Sequence, residues 1–432
     1  MKKALMIIFY FPPLGGSGVH RPLKFTKYLS DFEWEPIILT VNEKRSQDSD
    51  DSTLLEELPK SIKIYRSGYI GFKELFPFLN KKEKAIILNS DEFIGYKRNF
   101  SKKLSKFANA LLIPDPKIGW YPLAMRKAKR IFQENTIDII YSTSPFPTAH
   151  LIAMSLAKKY CKPWVADFRD PWTKFFYVKR PFPFKQFERL MEKKVLKNAD
   201  KIIIAWPGIQ DNFILQYNAD FCSKTILIHN GYDEKDFQNI SPKTFSKFTI
   251  VHTGVFYKER TPEALFKALA FLFTKEPMLR KDIQVIQIGP HEPIITDLIR
   301  ENNLYDVVQT IPYLPHKKCL SYLLGADVLF LNTVQNHVPG KMFEYMRSKK
   351  PILSLTSYDK TVSEIVNSTQ AGIVVDPLET EKIKETIFEM YEKHKKGELK
   401  LEREDDSIIY QYERKNLTGE LAKIFNEVIE KN

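Results

Sequence analysis

Two short segments of this chain hold residue types suited to phosphate and sugar chemistry. The first is Phe11-Pro12-Pro13-Leu14-Gly15-Gly16-Ser17-Gly18, followed by a helix pattern from Val19 to Leu29. Glycines let backbone N–H groups approach an anion, and the start of the following helix favours negative charge. The second is Pro339-Gly340-Lys341-Met342-Phe343-Glu344-Tyr345-Met346-Arg347. Met342, Phe343, Tyr345 and Met346 form the buried face of a short helix, so Lys341 and Glu344 project from its other side. A carboxylate there can accept hydrogen bonds from a ribose diol, and a lysine can neutralise a diphosphate. Further polar residues close strand-like segments: Ser142-Thr143-Ser144-Pro145, with His150 six residues beyond, and Asp167-Phe168-Arg169-Asp170.

Other chemistries are poorly served. The glycine loop is not Gly-x-Gly-x-x-Gly, and no acidic residue ends the next strand at Thr40-Val41, which disfavours a nicotinamide cofactor. Asp48-Ser49-Asp50 has the form of a metal-binding Asp-x-Asp, but it sits in a charged stretch from Glu43 to Ser52 that reads as solvated loop. The eight histidines show no metal spacing, and Cys161, Cys222 and Cys319 are scattered without a Cys-x-x-Cys pair. The expectation is a reduced, cytoplasmic compartment with neither disulfides nor a metal.

The elements that must position these residues follow a repeating rhythm. Apolar, strand-sized runs alternate with helix-length amphipathic stretches: Ala4–Phe11, Pro36–Val41, Asp138–Ser142, Trp164–Asp167, Lys201–Ala205 and Thr225–His229. A second series follows: Phe248–His252, Gln284–Gly289, Val308–Pro312, Val328–Asn332, Ile352–Thr356 and Gly372–Asp376. Continuous apolar strands separated by helices predict parallel sheets covered on both faces. The polar stretch Gln238–Lys247 reads as a linker, dividing an α/β domain at 1–240 from another at 248–410. From 411 to 432, Leu417, Leu421, Ile424, Phe425 and Val428 recur at helical spacing and predict a closing helix packed back toward the first domain. Ligands of such sheets bind beyond the carboxyl ends of the strands, so the expected site is a cleft between the two domains. With 432 residues, 43% of them hydrophobic, each domain can bury its own core.

In this order the motifs resemble those of the family-4 glycosyltransferases, retaining enzymes of the GT-B fold that use nucleotide-sugar donors. The resemblance runs from Phe11-Pro12-Pro13 and Gly15–Gly18 through Asp167–Trp172, Glu192 and Ala199-Asp200. It continues through His229-Asn230-Gly231-Tyr232-Asp233, Phe237, Thr253-Gly254, Arg260 and Gly340–Tyr345. It implies that Gly15, Gly16 and Gly18 lie against the donor's diphosphate and transferred sugar. Arg260 and Lys341 neutralise the leaving group, Gly254 forms the turn beside it, and Glu344 holds the ribose. Where the family usually has a second glutamate this chain has Asn336, and Val255-Phe256 stand where an arginine is common. A subset of the family carries a Pro-x-Lys-x-x-Glu-Tyr helix without the first glutamate, and this chain is similar to that subset. Asp170 and His150 are the expected acceptor-side residues. Stabilisation of the diphosphate by Lys, Arg and helix N-termini needs no protein-bound metal, so no cofactor beyond the nucleotide-sugar co-substrate is expected.

The net charge is +13, and Lys158–Lys201 alone holds 13 basic against 5 acidic residues. Within that stretch, Phe175–Lys185 interleaves aromatics with cations, and Phe100, Leu104, Phe107 and Leu111 share a helix face near Lys102, Lys103 and Lys106. Both patterns suit a peripheral anionic membrane surface and a glycan or lipid-linked acceptor in polysaccharide biosynthesis. An epimerase or hydrolase of the same fold is the alternative. Basicity alone also fits nucleic acid, but no module pattern supports that partner.

Overall fold

The computed structural model describes residues 1–42, 51–70, 112–173, 180–256, 260–333, 336–358, 360–401, 403 and 405–431. Asp48-Ser49-Asp50, the helix face from Phe100 to Leu111, and Phe175 to Lys179 therefore lie outside the described residues.

The chain forms two α/β units, Met1–His229 with Arg414–Asn432, and Asn230–Glu413. The first is built on seven strands: β1 Lys2–Ile8, β2 Trp34–Val41, β3 Lys63–Ser67, β4 Ile139–Thr143, β5 Trp164–Phe168, β6 Lys201–Ile204 and β7 Thr225–Leu227. Their order is β3-β2-β1-β4-β5-β6-β7, with every pairing parallel. The second unit holds β8 Phe248–Thr253, β9 Ile283–Ile288, β10 Val308–Ile311, β11 Val328–Asn332, β12 Ile352–Leu355 and β13 Gly372–Val375. These are ordered β10-β9-β8-β11-β12-β13, again all parallel. In each sheet the chain starts near the middle, winds to one edge and returns to build the other, which places a topological switch point beside β1 and beside β8.

Sequence pattern located twelve of these strands and missed β3. Lys-Ile-Tyr-Arg-Ser is an edge strand, half exposed, and lacks the continuous apolar run of a strand buried on both faces.

The polar stretch 238–247 is not a linker. The division falls at His229/Asn230, and the following residues belong to the second unit through their backbone. Lys243 donates to the Ser321 carbonyl at 2.9 Å and Tyr232 to the Tyr412 carbonyl at 3.1 Å, while Asp233 caps the turn Glu234–Phe237. Polar composition misleads here because these residues are held by main-chain bonds rather than by apolar burial.

The last helix, Arg414–Glu430, returns to the first unit. Leu417, Leu421, Ala422, Ile424, Phe425 and Val428 enter the same core as Ala4, Met6 and Ile8 of β1, with Trp34 and Tyr141. Burying such aliphatic and aromatic side chains contributes roughly 1.5–3 kcal/mol each, an upper estimate. The helix fits closely because Gly419 faces Phe32, whose ring would lie 2.9 Å from an added Cβ.

Candidate functional site

In the second unit, chemistry gathers at the carboxyl end of β8. The helix Lys341–Arg347 buries Met342, Phe343, Tyr345 and Met346, and the Tyr345 hydroxyl accepts the Thr253 N–H at 2.8 Å. That contact ties the helix to the strand end and brings Lys341 over it. Lys341 Nζ lies 3.1 Å from His252 Nε2, and His252 Nδ1 lies 2.9 Å from the Phe330 carbonyl oxygen. A carbonyl only accepts, so Nδ1 carries the proton and Nε2 accepts from the Lys341 amino group. The ring stacks on Phe256 with centroids 4.0 Å apart.

These groups enclose a positive site. Burial, and then the Arg260 charge, push the Lys341 amine well below its ordinary range. Burial followed by Lys341 likewise keeps His252 neutral, and burial followed by Arg260 and Lys341 takes His337 down to about 3. Arg260 is itself buried and donates to the Val255 carbonyl at 3.0 Å. Cations that disfavour one another's charge are stabilised by an anion arriving among them.

Gly254 adopts φ +107°, and an added Cβ would stand 2.6 Å from Lys341 Nζ. The Gly254→Ala variant is therefore expected to lose about 1–2 kcal/mol to backbone strain and to displace the lysine. Urea unfolding reads the first effect. Calorimetric titration with pyrophosphate reads the second, as a weakening of roughly tenfold, and unchanged affinity would show that Lys341 does not meet the anion here.

Glu344 lies one turn further along the same short helix. Its Oε1 is 2.9 Å from His316 Nε2, which must donate because a carboxylate only accepts, while His316 Nδ1 is 3.9 Å from Asp236. Sequence reading missed His316, since 28 residues separate it from Glu344 and no spacing joins them. Asn336, at the position of the family's second glutamate, bonds to a different helix. Its Oδ1 accepts the Thr361 N–H at 2.9 Å, capping the helix Thr361–Ser368.

The first unit presents its own strand ends. Beyond β1 the chain turns at Gly15 and Gly16, the latter at φ +92°, and enters the helix Ser17–Tyr28. The Gly18 carbonyl accepts from Arg169 Nη1 at 2.5 Å, while the Arg169 backbone N–H donates to Ser144 Oγ at 2.8 Å, so one arginine joins the start of the helix after β1 to the ends of β4 and β5. Beneath it, Arg21 forms a fully buried bidentate pair with Asp167 at 2.9 and 3.0 Å, and Tyr141 and Thr143 donate to the same carboxylate. Burial alone would raise the Asp167 carboxyl, but Arg21 and the two hydroxyls hold it below its ordinary range. Asp170 is half buried, and burial raises its carboxyl against the opposing pull of Arg169.

His150 lies inside the core at 0% exposure. Trp164 donates to Ser142 Oγ at 2.9 Å, and Ser142 Oγ is 2.8 Å from His150 Nδ1. The ring stacks on Phe168, and burial lowers it to about 3. Thus Lys341, Arg260 and Gly254 are brought together, Glu344 pairs with a histidine on the same unit, and His150 is held away from the surface.

Two family descriptions match the chain. Glycosyltransferase Family 4 covers residues 92–236, and Glycosyl transferases group 1 covers residues 233–404. No curated protein matches. Among solved structures, Anabaena HepE in complex with UDP and glucose is 13% identical with a TM-score of 0.63, over 99% of this chain and 100% of that one. Sucrose-phosphate synthase from Thermosynechococcus elongatus is 13% identical with a TM-score of 0.65, covering 100% of both chains. A glycosyltransferase from Rickettsia africae is 17% identical with a TM-score of 0.62, over 100% of this chain and 99% of its own.

Proposed function

The chain belongs to the family-4 glycosyltransferases of the GT-B fold, and from that premise we propose that it moves a sugar from a nucleotide-sugar donor, with retention of configuration, to a glycan or lipid-linked acceptor of the cell envelope. The observation that carries this reading is the Lys341–Arg260 cluster held by His252 beside the Gly254 turn. Breaking a nucleotide-sugar bond develops negative charge on the departing diphosphate while the sugar becomes oxocarbenium-like. The Arg260 guanidinium and the Lys341 amine, fixed in position in advance, stabilise that charge as it forms, the amine taking up a proton, without a protein-bound metal. HepE was solved with UDP and glucose, which supports a ligand of that class on the shared fold.

A thermal-shift titration with UDP, GDP, ADP and their sugar conjugates in EDTA tests the donor. A saturable rise for one nucleotide class is expected, following mass action. No rise with any of them overturns the reading, and donor cleavage that never depends on an acceptor would favour a hydrolase.

The acceptor side gains support from one surface of the first unit. The helix Phe184–Asn198 turns Glu188 and Glu192 inward and leaves Lys185, Arg189, Lys193, Lys194 and Lys197 exposed. On the same surface Phe182, Phe187 and Leu190 are exposed, joined by Leu215 from the helix Pro207–Tyr217, which packs against it through Arg189 and Tyr217. Exposed aromatics among cations, on a helix whose two acids are both turned inward, suit an anionic leaflet, where each Lys or Arg contributes roughly 1 kcal/mol. Among the described residues no helix is long and apolar enough to cross a membrane. Flotation with phosphatidylglycerol vesicles is expected at low salt and should be lost with Phe187→Ala/Leu190→Ala. Equal flotation of that variant would remove the surface from consideration.

A further inference from the structure

Several charges in the interior of the first unit are matched by an opposite charge. Arg21 meets Asp167 at 2.9 Å, Lys24 meets Glu57 at 2.5 Å and Arg180 meets Glu188 at 2.6 Å. Arg66, at the end of edge strand β3, is half buried but bonds only to the carbonyls of Val41 and Pro12 among the described residues. Carbonyls satisfy its N–H groups and leave its charge uncompensated.

Arg66 borders a cavity of about 440 Å³ between the end of β3 and the helix Tyr121–Glu134. Ser67, Gly68 and Leu123 form its less polar wall, and Arg126, Lys127 and Arg130 complete the lining. Among the described residues no carboxylate lines it. Arg130 pairs outward with Glu134 at 2.5 Å, while Arg66, Arg126 and Lys127 have no ion-pair partner among the described residues. Desolvation lowers the Arg66 guanidinium, the direction expected for a cation buried without an anion.

We propose that this cavity binds a phosphate-bearing ligand. Three unmatched cations suit a phosphate dianion better than a single carboxylate, which would leave a larger surplus of positive charge. Guanidinium groups also bond oxyanions in a bidentate fork. The site is distinct from the Lys341 cluster, which belongs to the other unit. It adjoins the glycine-rich turn, because Arg66 holds the Pro12 carbonyl. The phosphate could come from a soluble phosphomonoester or from a phospholipid headgroup, and both present the same chemistry to these residues.

The test compares Arg126→Ala/Lys127→Ala with the parent protein, both in a Lys341→Met background that disables the other anion site. Arg126 is exposed and Lys127 half exposed, so the fold should persist, with unchanged ligand-free melting temperature as the check. Calorimetric titration with inorganic phosphate and with glycerol phosphate is one arm, and flotation with phosphatidic acid vesicles is the other. A loss of roughly tenfold or more in phosphate affinity supports the site with a soluble ligand. Loss of flotation alone supports it with a headgroup as ligand. Equal affinity and equal flotation in the two proteins overturn it. Failure of the nucleotide titration leaves this result untouched, since the two sites use different residues.

Discussion

Lys341→Met is expected to lower turnover by about a hundredfold or more while raising the melting temperature of the ligand-free protein. Both effects come from one cause. The ammonium is held among Arg260, His252 and His337 and away from water, so its charged form is disfavoured until an anion arrives. Methionine fills similar space without that penalty, and relief of even 1 kcal/mol corresponds to roughly 2 °C or more. The pH dependence has a fixed sign. Because the folded amine has a depressed pKa, the unfolded chain binds more protons between that value and the ordinary 10.5, and wild-type stability rises with pH across that window. The advantage of the methionine variant is therefore greatest near neutrality and fades toward pH 10.5. Urea midpoints at several pH values measure this. A diphosphate that restores the charge should also draw in a proton, seen as a buffer-dependent enthalpy of nucleotide binding. A methionine variant that is less stable and equally active would make Lys341 a structural ion partner instead.

The contrast between Lys341 and His150 shows what residue spacing can and cannot convey. Met342, Phe343, Tyr345 and Met346 announce a buried helix face, so the outward direction of Lys341 and Glu344 follows from periodicity alone. His150 sits on a helix in which Leu151, Ile152 and Ala153 are also buried, and such a helix gives no periodic signal for which side meets solvent. Its environment is set by Ser142, Trp164 and Phe168, from strands that precede and follow the helix. His252 and His316 were invisible for a similar reason. The first acts through Phe330 and Lys341, 78 and 89 residues away, and the second through Glu344, so only the parallel winding of the sheet brings the partners together. Buried strands were legible because their apolar runs are continuous. The edge strand β3 and the polar start of the second unit were not, since main-chain bonds define them and those leave no mark on composition.

Glu344→Ala is expected to weaken nucleotide binding by about a hundredfold. Two hydrogen bonds from a ribose diol to a carboxylate contribute roughly 1.5–3 kcal/mol each, and about 2.7 kcal/mol of net loss is a factor of a hundred. The ligand-free geometry shows how the carboxylate is kept ready. His316 donates to Oε1 at 2.9 Å, and Glu344 is partly exposed, which leaves acceptor capacity on Oε2 and fixes the orientation of the group. Affinity alone would not separate ribose binding from a general disturbance of the helix, so the decisive measurement is a cycle with nucleotides lacking one ribose hydroxyl. Wild type should lose affinity when the 2′- or 3′-hydroxyl is removed, whereas Glu344→Ala should be nearly indifferent, because the acceptor is already gone. His316→Gln, which keeps a donor, should resemble wild type more closely than His316→Ala if the histidine acts by orienting the carboxylate. If Glu344→Ala remained as sensitive as wild type to loss of the hydroxyl, the ribose would have to be held elsewhere, and the Glu344–His316 pair would be a structural link between two helices.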